Sequence, residues 1–311
     1  MAAINKGNIF LILAALVWGL GLVSQQAGME YLGPLGFTGV RCTLGGICML
    51  PLVWFINRKK KKDKDFSEPA DINKNTLKGA AVCAIALATL ILCQQYGLLF
   101  TSVGKAGFIT ALYIVMTPLG SMIFLKKRVG KKIWAAVVIA LAGMYLLCLI
   151  GGIDSVNIGD LIMLFAAVAS SVHMLAVDHF VEKSDPVKLS CFQFIIVGAV
   201  CLVLSFVFES GTLNMTNIML SAIPILYAGL ASCAVGYTFQ IIGQKYTEPG
   251  VAALLLSLET VFALLAGWLL LGEVMQPHEY AGCAVMFIAI ITAQLPERSG
   301  RTVKPKENKI H

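Results

Sequence analysis

The chain has 311 residues, of which 58% are hydrophobic and only 13% are charged, and its mean hydropathy is +0.82. Soluble domains carry about a quarter charged residues, so this composition excludes an ordinary soluble protein. The net charge of +7 does not indicate nucleic-acid binding, because the basic residues lie in short segments between apolar runs. The sequence therefore predicts an integral membrane protein with no nucleic-acid partner.

Ten apolar runs are each long enough to cross a bilayer as a helix, which takes roughly 20 residues. They are residues 8–27, 34–57, 77–98, 105–125, 133–151, 158–180, 187–208, 217–240, 249–271 and 278–295. The runs are too long and too evenly apolar for a membrane β-barrel. We interpret the first run as an uncleaved helix rather than a signal peptide, since nine more follow it. The predicted fold class is an all-α integral membrane protein with ten transmembrane helices.

The positions of the basic residues predict the orientation of these spans. Of the 24 lysines and arginines, 22 lie in the tails and loops on the side shared by the two termini. Lys105 lies on the opposite side, and Arg41 lies inside a span. By the positive-inside rule both termini are cytoplasmic, so we expect a multi-pass protein of the cell membrane. The longest basic loop, residues 58–78, reads as a solvated, topogenic linker, with lipid binding or regulation as the alternative.

The two halves of the chain are weakly similar to each other. An offset of 152 residues places Gly7–Ala15 on Gly159–Ala167, and an offset of 142 places Thr117 on Glu259. Each copy contains five spans, an odd number, so the second copy enters the membrane from the opposite side. The halves, residues 8–151 and 158–295, are therefore predicted to form an inverted repeat followed by a cytoplasmic tail, residues 296–311. Inverted repeats recur in secondary transporters.

Four segments carry a resemblance to a known family. They are LAALVWG (Leu13–Gly19), GVRCTLGG (Gly39–Gly46), GKAGFITALYIVMTPL (Gly104–Leu119) and LLLSLETVFALLAGWLLLGE (Leu254–Glu273). With these segments the chain resembles the EamA family of the drug/metabolite transporter superfamily over roughly residues 8–295. The resemblance implies two five-helix EamA domains and a permease, often an exporter, that moves small organic solutes through a cavity open alternately to each side. Family members commonly have Glu-Pro in the ninth span, whereas Thr260 follows Glu259 here.

Three ionisable residues within the spans are candidates for transport. An ionisable group at a helix centre costs about 2.5–3.5 kcal/mol on insertion scales, so it needs a partner or a cavity. Glu259 lies near the middle of the ninth span and is either a proton-coupling carboxyl or a hydrogen-bonded tie between helices. Arg41 either binds a substrate carboxylate, pairs with Glu259 or extends toward the membrane surface. His173 is either a proton carrier or a hydrogen-bonded packing residue.

Aromatic and amide side chains at comparable depth fit a site for a partly apolar metabolite. Buried amides need hydrogen-bond partners in lipid, so some of these groups should face a cavity or another helix. The candidates for the substrate pathway are Trp18, Gln94, Gln95, Tyr113 and Tyr237, with Tyr96 and Gln240 at similar depth.

The sequence favours a transporter over other membrane functions. No HExxH, GxSxG or intramembrane aspartate pair occurs, so an enzyme is not expected. The nine cysteines show no metal-binding spacing, and we expect no metal or cofactor. No GxxxxGK[ST] loop occurs either, so transport should draw on a gradient or on exchange. A channel and a flippase for lipid-linked substrates stay open as alternatives, and both a monomer and a homodimer are compatible with ten helices.

Overall fold

A computed structural model describes residues 6–62, 74–101, 103–148, 157–271 and 276–294, and within these ranges the regular structure is entirely helical. In chain order the helices are α1 (Lys6–Met29), α2 (Pro34–Lys62), α3 (Lys74–Leu98), α4 (Val103–Ala111), α5 (Tyr113–Phe124), α6 (Lys131–Cys148), α7 (Ile158–Val181), α8 (Pro186–Phe208), α9 (Met215–Leu220), α10 (Ala222–Leu226), α11 (Tyr237–Tyr246), α12 (Pro249–Leu256), α13 (Leu258–Leu271) and α14 (Pro277–Gln294). A π-helical segment, Tyr227–Gly236, joins α10 to α11.

Each of the ten predicted apolar runs coincides with helical structure. Seven of the described helical segments are long and apolar enough, by length and composition, to cross a membrane, and α1 contributes a shorter apolar stretch, Lys6–Gly21. Three runs contain more than one helix: α4 with α5, α9 through α11 with the π segment, and α12 with α13. The chain is therefore a multi-pass helical protein whose spans are interrupted in three places.

The largest differences between the predicted runs and the helices occur in two places. The eighth run was predicted to end at residue 240, but α11 continues to Tyr246 because Gln240 and Gln244 hydrogen-bond inside the bundle. The predicted loop 58–78 is shorter, since α2 extends to Lys62 and α3 begins at Lys74. The rest of that loop, residues 63–73, and the predicted tail, residues 296–311, lie outside the described residues.

Several helices begin at residues suited to an N-terminus. Proline is the first residue of α2, α8, α12 and α14, where its fixed φ suits a helix and its missing N–H is not needed. Asn157 precedes α7 and forms a capping box, in which its side chain accepts from the backbone N–H of Asp160 and the Asp160 carboxylate accepts from that of Asn157. These local signals set where each span begins.

The helices pack as pairs from the two halves of the chain. The most extensive contacts join α2 to α8, α3 to α7 and α6 to α14, and α1 packs against α13, α11 and the π segment. Large apolar side chains are exposed around the outside, including Ile85, Phe124 and Phe208, each at least 70% exposed. An apolar exterior of this extent suits a lipid environment, and the polar buried residues are left to line the interior.

Candidate functional site

The helices that line the centre of the bundle are broken. The ninth span divides at Ser257, between α12 and α13, where the Ser257 hydroxyl donates to the Leu254 carbonyl at 2.8 Å. Glu259 follows in the first turn of α13. The fourth span divides at Leu112, directly before Tyr113. The ninth span is thus interrupted next to Glu259 without the proline that relatives commonly have there.

A central cavity with about 680 Å³ of space not occupied by atoms, including open solvent, lies beside these breaks. Side chains from both halves of the chain surround it. The lining residues are Trp18, Gln25, Arg41, Leu90, Ile91, Gln94, Thr110, Tyr113, Ser170, His173, Met174, Ser232, Tyr237, Gln240, Leu256 and Glu259.

Seven of the eight residues predicted for the substrate pathway line this cavity, and Gln95 does not. The Gln95 side chain is fully buried, and its Oε1 accepts from the Thr38 hydroxyl at 2.7 Å. Gln94 and Gln95 are adjacent in α3, so their side chains leave the helix about 100° apart, and Gln94 is the one that lines the cavity. Gln95 instead ties α3 to α2.

Arg41 lies deep in the bundle. Its side chain is 3% exposed, and its guanidinium carbon lies 5.4 Å from the centroid of the Phe37 ring. Within the described ranges it forms no ion pair, and its Nε has no hydrogen-bond partner. Of the three expectations for Arg41, the structure therefore contains neither the pair with Glu259 nor an extension to the membrane surface. A cation facing the cavity is what remains.

The Glu259 carboxyl also lines the cavity, and the part of the chain that the structure describes offers it neither an ion pair nor a hydrogen bond. Its backbone is held tightly against α1. A Cβ atom added to Gly19 would lie 2.6 Å from the carbonyl oxygen of Glu259 and 2.8 Å from the backbone nitrogen of Ala263. Close packing of this kind requires glycine, and it fixes the height of Glu259 relative to α1.

Aromatic rings form one wall of the cavity. The ring centroids of Trp18 and Tyr237 are 4.5 Å apart, and Tyr237 also contacts His173 and Phe194, at 6.1 and 5.1 Å. Ring contacts at these distances are favourable. The wall therefore combines α1 from the first half with α7 and α11 from the second, and Phe194 of α8 packs against Tyr237 without lining the cavity.

Four polar atoms on the cavity residues are buried and have no hydrogen-bond partner among the residues that the structure describes. They are Trp18 Nε1, Arg41 Nε, Thr110 Oγ1 and Gln240 Oε1. An unpartnered buried polar group costs about 1–3 kcal/mol, so these atoms favour a bound molecule that offers the missing partners. The first two are donors, Gln240 Oε1 is an acceptor, and a hydroxyl can be either.

Sequence reasoning missed several polar lining residues: Gln25, Thr110, Ser170 and Ser232. Serine and threonine are common packing residues in membrane helices, so nothing in the sequence separates those that face a cavity. Tyr96 was expected at the same depth, but its hydroxyl is 3.3 Å from a carboxylate oxygen of Glu209. It belongs to a cluster at the ends of α3 and α8.

Polar contacts close the bundle at the end where α1 begins. Gln240 Nε2 donates to Gln244 Oε1 at 3.0 Å, and Gln244 Nε2 donates to the Met174 carbonyl at 2.9 Å. Further along α7 from Met174, the buried carboxylate of Asp178 forms an ion pair with Lys127. These contacts join α11 to α7, and the segment after α5 to α7, on one side of the cavity.

A match to a family model identifies the class of protein to which this fold belongs. The model of the EamA-like transporter family matches residues 5–149 and 157–293, so the chain belongs to that family. It is a multi-pass membrane protein of a transporter family. The resemblance drawn from the sequence motifs is thereby confirmed.

Known relatives are similar over nearly the whole chain. An uncharacterized transporter of Archaeoglobus fulgidus is 29% identical, over 93% of this chain and 85% of its own. The uncharacterized transporter YwfM of Bacillus subtilis is 28% identical, over 96% of this chain and 98% of its own. A protein crystal structure that is 17% identical superposes with a TM-score of 0.75, covering 93% of this chain and 98% of the other. That structural likeness shows the fold.

Proposed function

We propose that the protein is a secondary transporter that exports small organic metabolites. It works by alternating access around the central cavity. The observation that carries this proposal is the cavity itself. Both halves of the chain line it, and in the described part of the chain its lining includes donors and acceptors without partners and an Arg41 and a Glu259 that form no ion pair. We place the protein in the cell membrane with both termini cytoplasmic, because 22 of its 24 basic residues lie on that side.

Helix packing supports the inverted repeat of ten spans that the proposal includes. The packing of α3 on α7 has a counterpart in that of α11 and the π segment on α1, because the first and sixth spans, and the third and eighth, are equivalent. The pairs α2 with α8 and α6 with α14 are their own counterparts. This pattern is what a twofold axis in the membrane plane would produce.

Individual contacts follow the same relation. A Cβ at Gly46 would lie 2.7 Å from Ile195 Cγ1, and a Cβ at Gly198 would lie 2.6 Å from the backbone nitrogen of Thr43. Gly198 and Ile195 are each 152 residues beyond Gly46 and Thr43, the offset at which the halves align in sequence. The two glycines therefore make equivalent contacts across one helix pair.

The proposed mechanism assigns each group a role that its chemistry allows. Arg41 stays protonated and binds an acceptor group of the solute, while the Trp18 and Tyr237 rings pack against its apolar part. Glu259 binds and releases the coupling proton, because its carboxyl lines the cavity and forms no ion pair within the described ranges. Solute exchange with the cytoplasm requires the Gln240–Gln244–Met174 and Lys127–Asp178 contacts to separate.

A comparison of two carboxyl-to-amide substitutions tests the proposal. Cells that produce the protein are screened for resistance to toxic analogues of amino acids and nucleobases and to cationic drugs. Glu259→Gln should abolish any protein-dependent resistance, and it should abolish proton-driven transport of the same compound in membrane vesicles. Glu279→Gln makes the same chemical change at the start of α14, away from the cavity, and should retain both.

Three results would contradict the proposal. Unchanged transport with an unchanged pH dependence in Glu259→Gln would remove that residue from coupling. Ionic conductance across a planar bilayer, with no saturation and no counterflow in proteoliposomes, would favour a channel instead. Scrambling of a labelled lipid-linked sugar in the same proteoliposomes would favour the flippase.

A further inference from the structure

A buried amide outside the cavity, that of Gln193, lies against His173, which lines the cavity. His173 is 1% exposed and lines the cavity, and its Nε2 lies 3.2 Å from Oε1 of Gln193 on α8. Gln193 is fully buried and does not line the cavity. Its Oε1 contacts His173, and its Nε2 has no hydrogen-bond partner within the described ranges. Gln193 therefore touches the lining of the cavity at His173.

The chemistry of this contact selects one tautomer of the imidazole. An amide oxygen accepts hydrogen bonds and donates none, so the His173 Nε2 that faces it must carry the proton. In a neutral imidazole the other nitrogen, Nδ1, is then an acceptor. In the described part of the chain Nδ1 has no hydrogen-bond partner, and the ring borders the cavity.

Ring packing holds the imidazole in the orientation that this contact needs. The rings of His173 and Tyr237 meet edge to face at 73°, and Phe194 packs against the other side of Tyr237 at a similar angle, 77°. A half-turn of the imidazole about χ2 would keep the ring plane and its contact with Tyr237, but it would place the carbon Cε1 opposite the Gln193 oxygen and break the hydrogen bond. The contact with α8 therefore selects the tautomer, and the contact with α11 holds the plane of the ring.

We propose that Gln193 is a positioning residue that holds His173 in its Nε2–H tautomer, so that Nδ1 offers a hydrogen-bond acceptor to a solute carrying an N–H or O–H donor. This inference rests on the proposed function for the solute, whereas the tautomer does not depend on it. Trp18 Nε1 and Arg41 Nε are unpartnered donors of the same cavity. His173 and Gln240 Oε1 supply the acceptors, so the solute class is one that both accepts and donates hydrogen bonds.

Nitrogen NMR reads the tautomer without any solute. The chain has only four histidines, so protein labelled with ¹⁵N-histidine in nanodiscs gives a simple imidazole spectrum, and the His173 signals are those lost in His173→Phe. In the wild type we expect a single neutral form of His173 with protonated Nε2 and bare Nδ1. Gln193→Leu removes the acceptor and should produce a mixture of tautomers.

Two further variants separate positioning from a general structural effect. Gln193→Glu keeps an oxygen acceptor and should retain protonation at Nε2. Gln244→Leu removes another fully buried amide, which bonds the Met174 carbonyl rather than His173, and should leave the tautomer unchanged. A wild-type His173 protonated at Nδ1 would overturn the proposal, as would an unaltered tautomer in Gln193→Leu. Either result would leave the proposed transport function untouched, because the spectrum involves no substrate.

Discussion

The two interrupted spans beside the cavity differ in the residue that follows each break. Tyr113 comes directly after the break at Leu112, and Glu259 comes two residues after the break at Ser257; both line the cavity. The sequence alignment had placed Glu259 opposite Thr117, but Thr117 is fully buried and lies against the Met174 sulfur. Tyr113 is the better counterpart of Glu259, since both face the same space.

A second pair of equivalent places shows the same difference in charge. Thr247 donates to Asn8 Oδ1 at 3.1 Å, and Thr101 donates to Asp160 Oδ1 at 2.7 Å. Asn8 and Asp160 are 152 residues apart, as the repeat predicts, and both lie in the first turn of their helices. In both comparisons the second half has a carboxylic acid where the first has a neutral group. The two halves have similar packing contacts, whereas their ionisable residues differ.

Conversely, the first half supplies the cation of the cavity. At the offset of 152, Arg41 corresponds to Gln193 and Trp18 corresponds to Ser170. Arg41 lines the cavity and Gln193 does not, whereas Trp18 and Ser170 both line it. On the proposed repeat, the Arg41 cation of the cavity comes from the first half and the Glu259 carboxyl from the second.

The largest effect on stability should come from adding a methyl group at Gly46 or Gly198, the two equivalent glycines where α2 packs against α8. A Cβ at either glycine would first meet a side chain, but at Gly198 the nearest backbone atom, Thr43 N, lies at 2.6 Å, whereas at Gly46 the nearest backbone atom, Ile195 N, lies at 3.0 Å. Overpacking costs about 1–3 kcal/mol, so we expect Gly198→Ala to lose about 3 kcal/mol and Gly46→Ala about 1 kcal/mol. Thermal unfolding midpoints in detergent measure the order. Equal losses would mean that α2 and α8 can separate at either glycine.

The sequence predicted the helical segments well because an apolar run of bilayer length has few alternatives to a helix. It did not predict the breaks. Ser257 lies within the uninterrupted apolar context Leu254–Leu258, and its hydroxyl bond to Leu254 is decided by tertiary packing. Which of Gln94 and Gln95 faces the cavity was equally undetermined, since both are polar and adjacent. Partners such as Gln193 become visible only when two helices are seen together.

A smaller effect on stability is expected at Asn8 and Asp160, and removal of the charged Asp160 side chain should cost more than removal of the neutral Asn8 side chain. Asp160 accepts from Thr101 and from the backbone of Asn157 at 2.9 Å, and it is 6% exposed. Hydrogen bonds to charged groups contribute about 1.5–3 kcal/mol, against about 0.5–1.5 for neutral ones. Asp160→Ala should therefore lower the unfolding free energy by about 2 kcal/mol and Asn8→Ala by about 1 kcal/mol. A reversed order in the same detergent would show that the Asp160 carboxylate is not the stronger cap.

The smallest effect isolates the two interhelical hydrogen bonds themselves. Thr247→Val combined with Asn8→Ala, and Thr101→Val combined with Asp160→Ala, complete two double-mutant cycles in which helix capping and side-chain volume cancel. Hydrogen bonds between membrane helices average about 0.6 kcal/mol, which is the coupling we expect for Asn8 with Thr247. A charged acceptor makes a hydrogen bond roughly twice as strong, so Asp160 with Thr101 should couple by about 1.2 kcal/mol. Equal couplings would mean that the larger stabilisation by Asp160 comes from its bond to the Asn157 backbone rather than from its contact with Thr101. The two interhelical hydrogen bonds would then be equally strong.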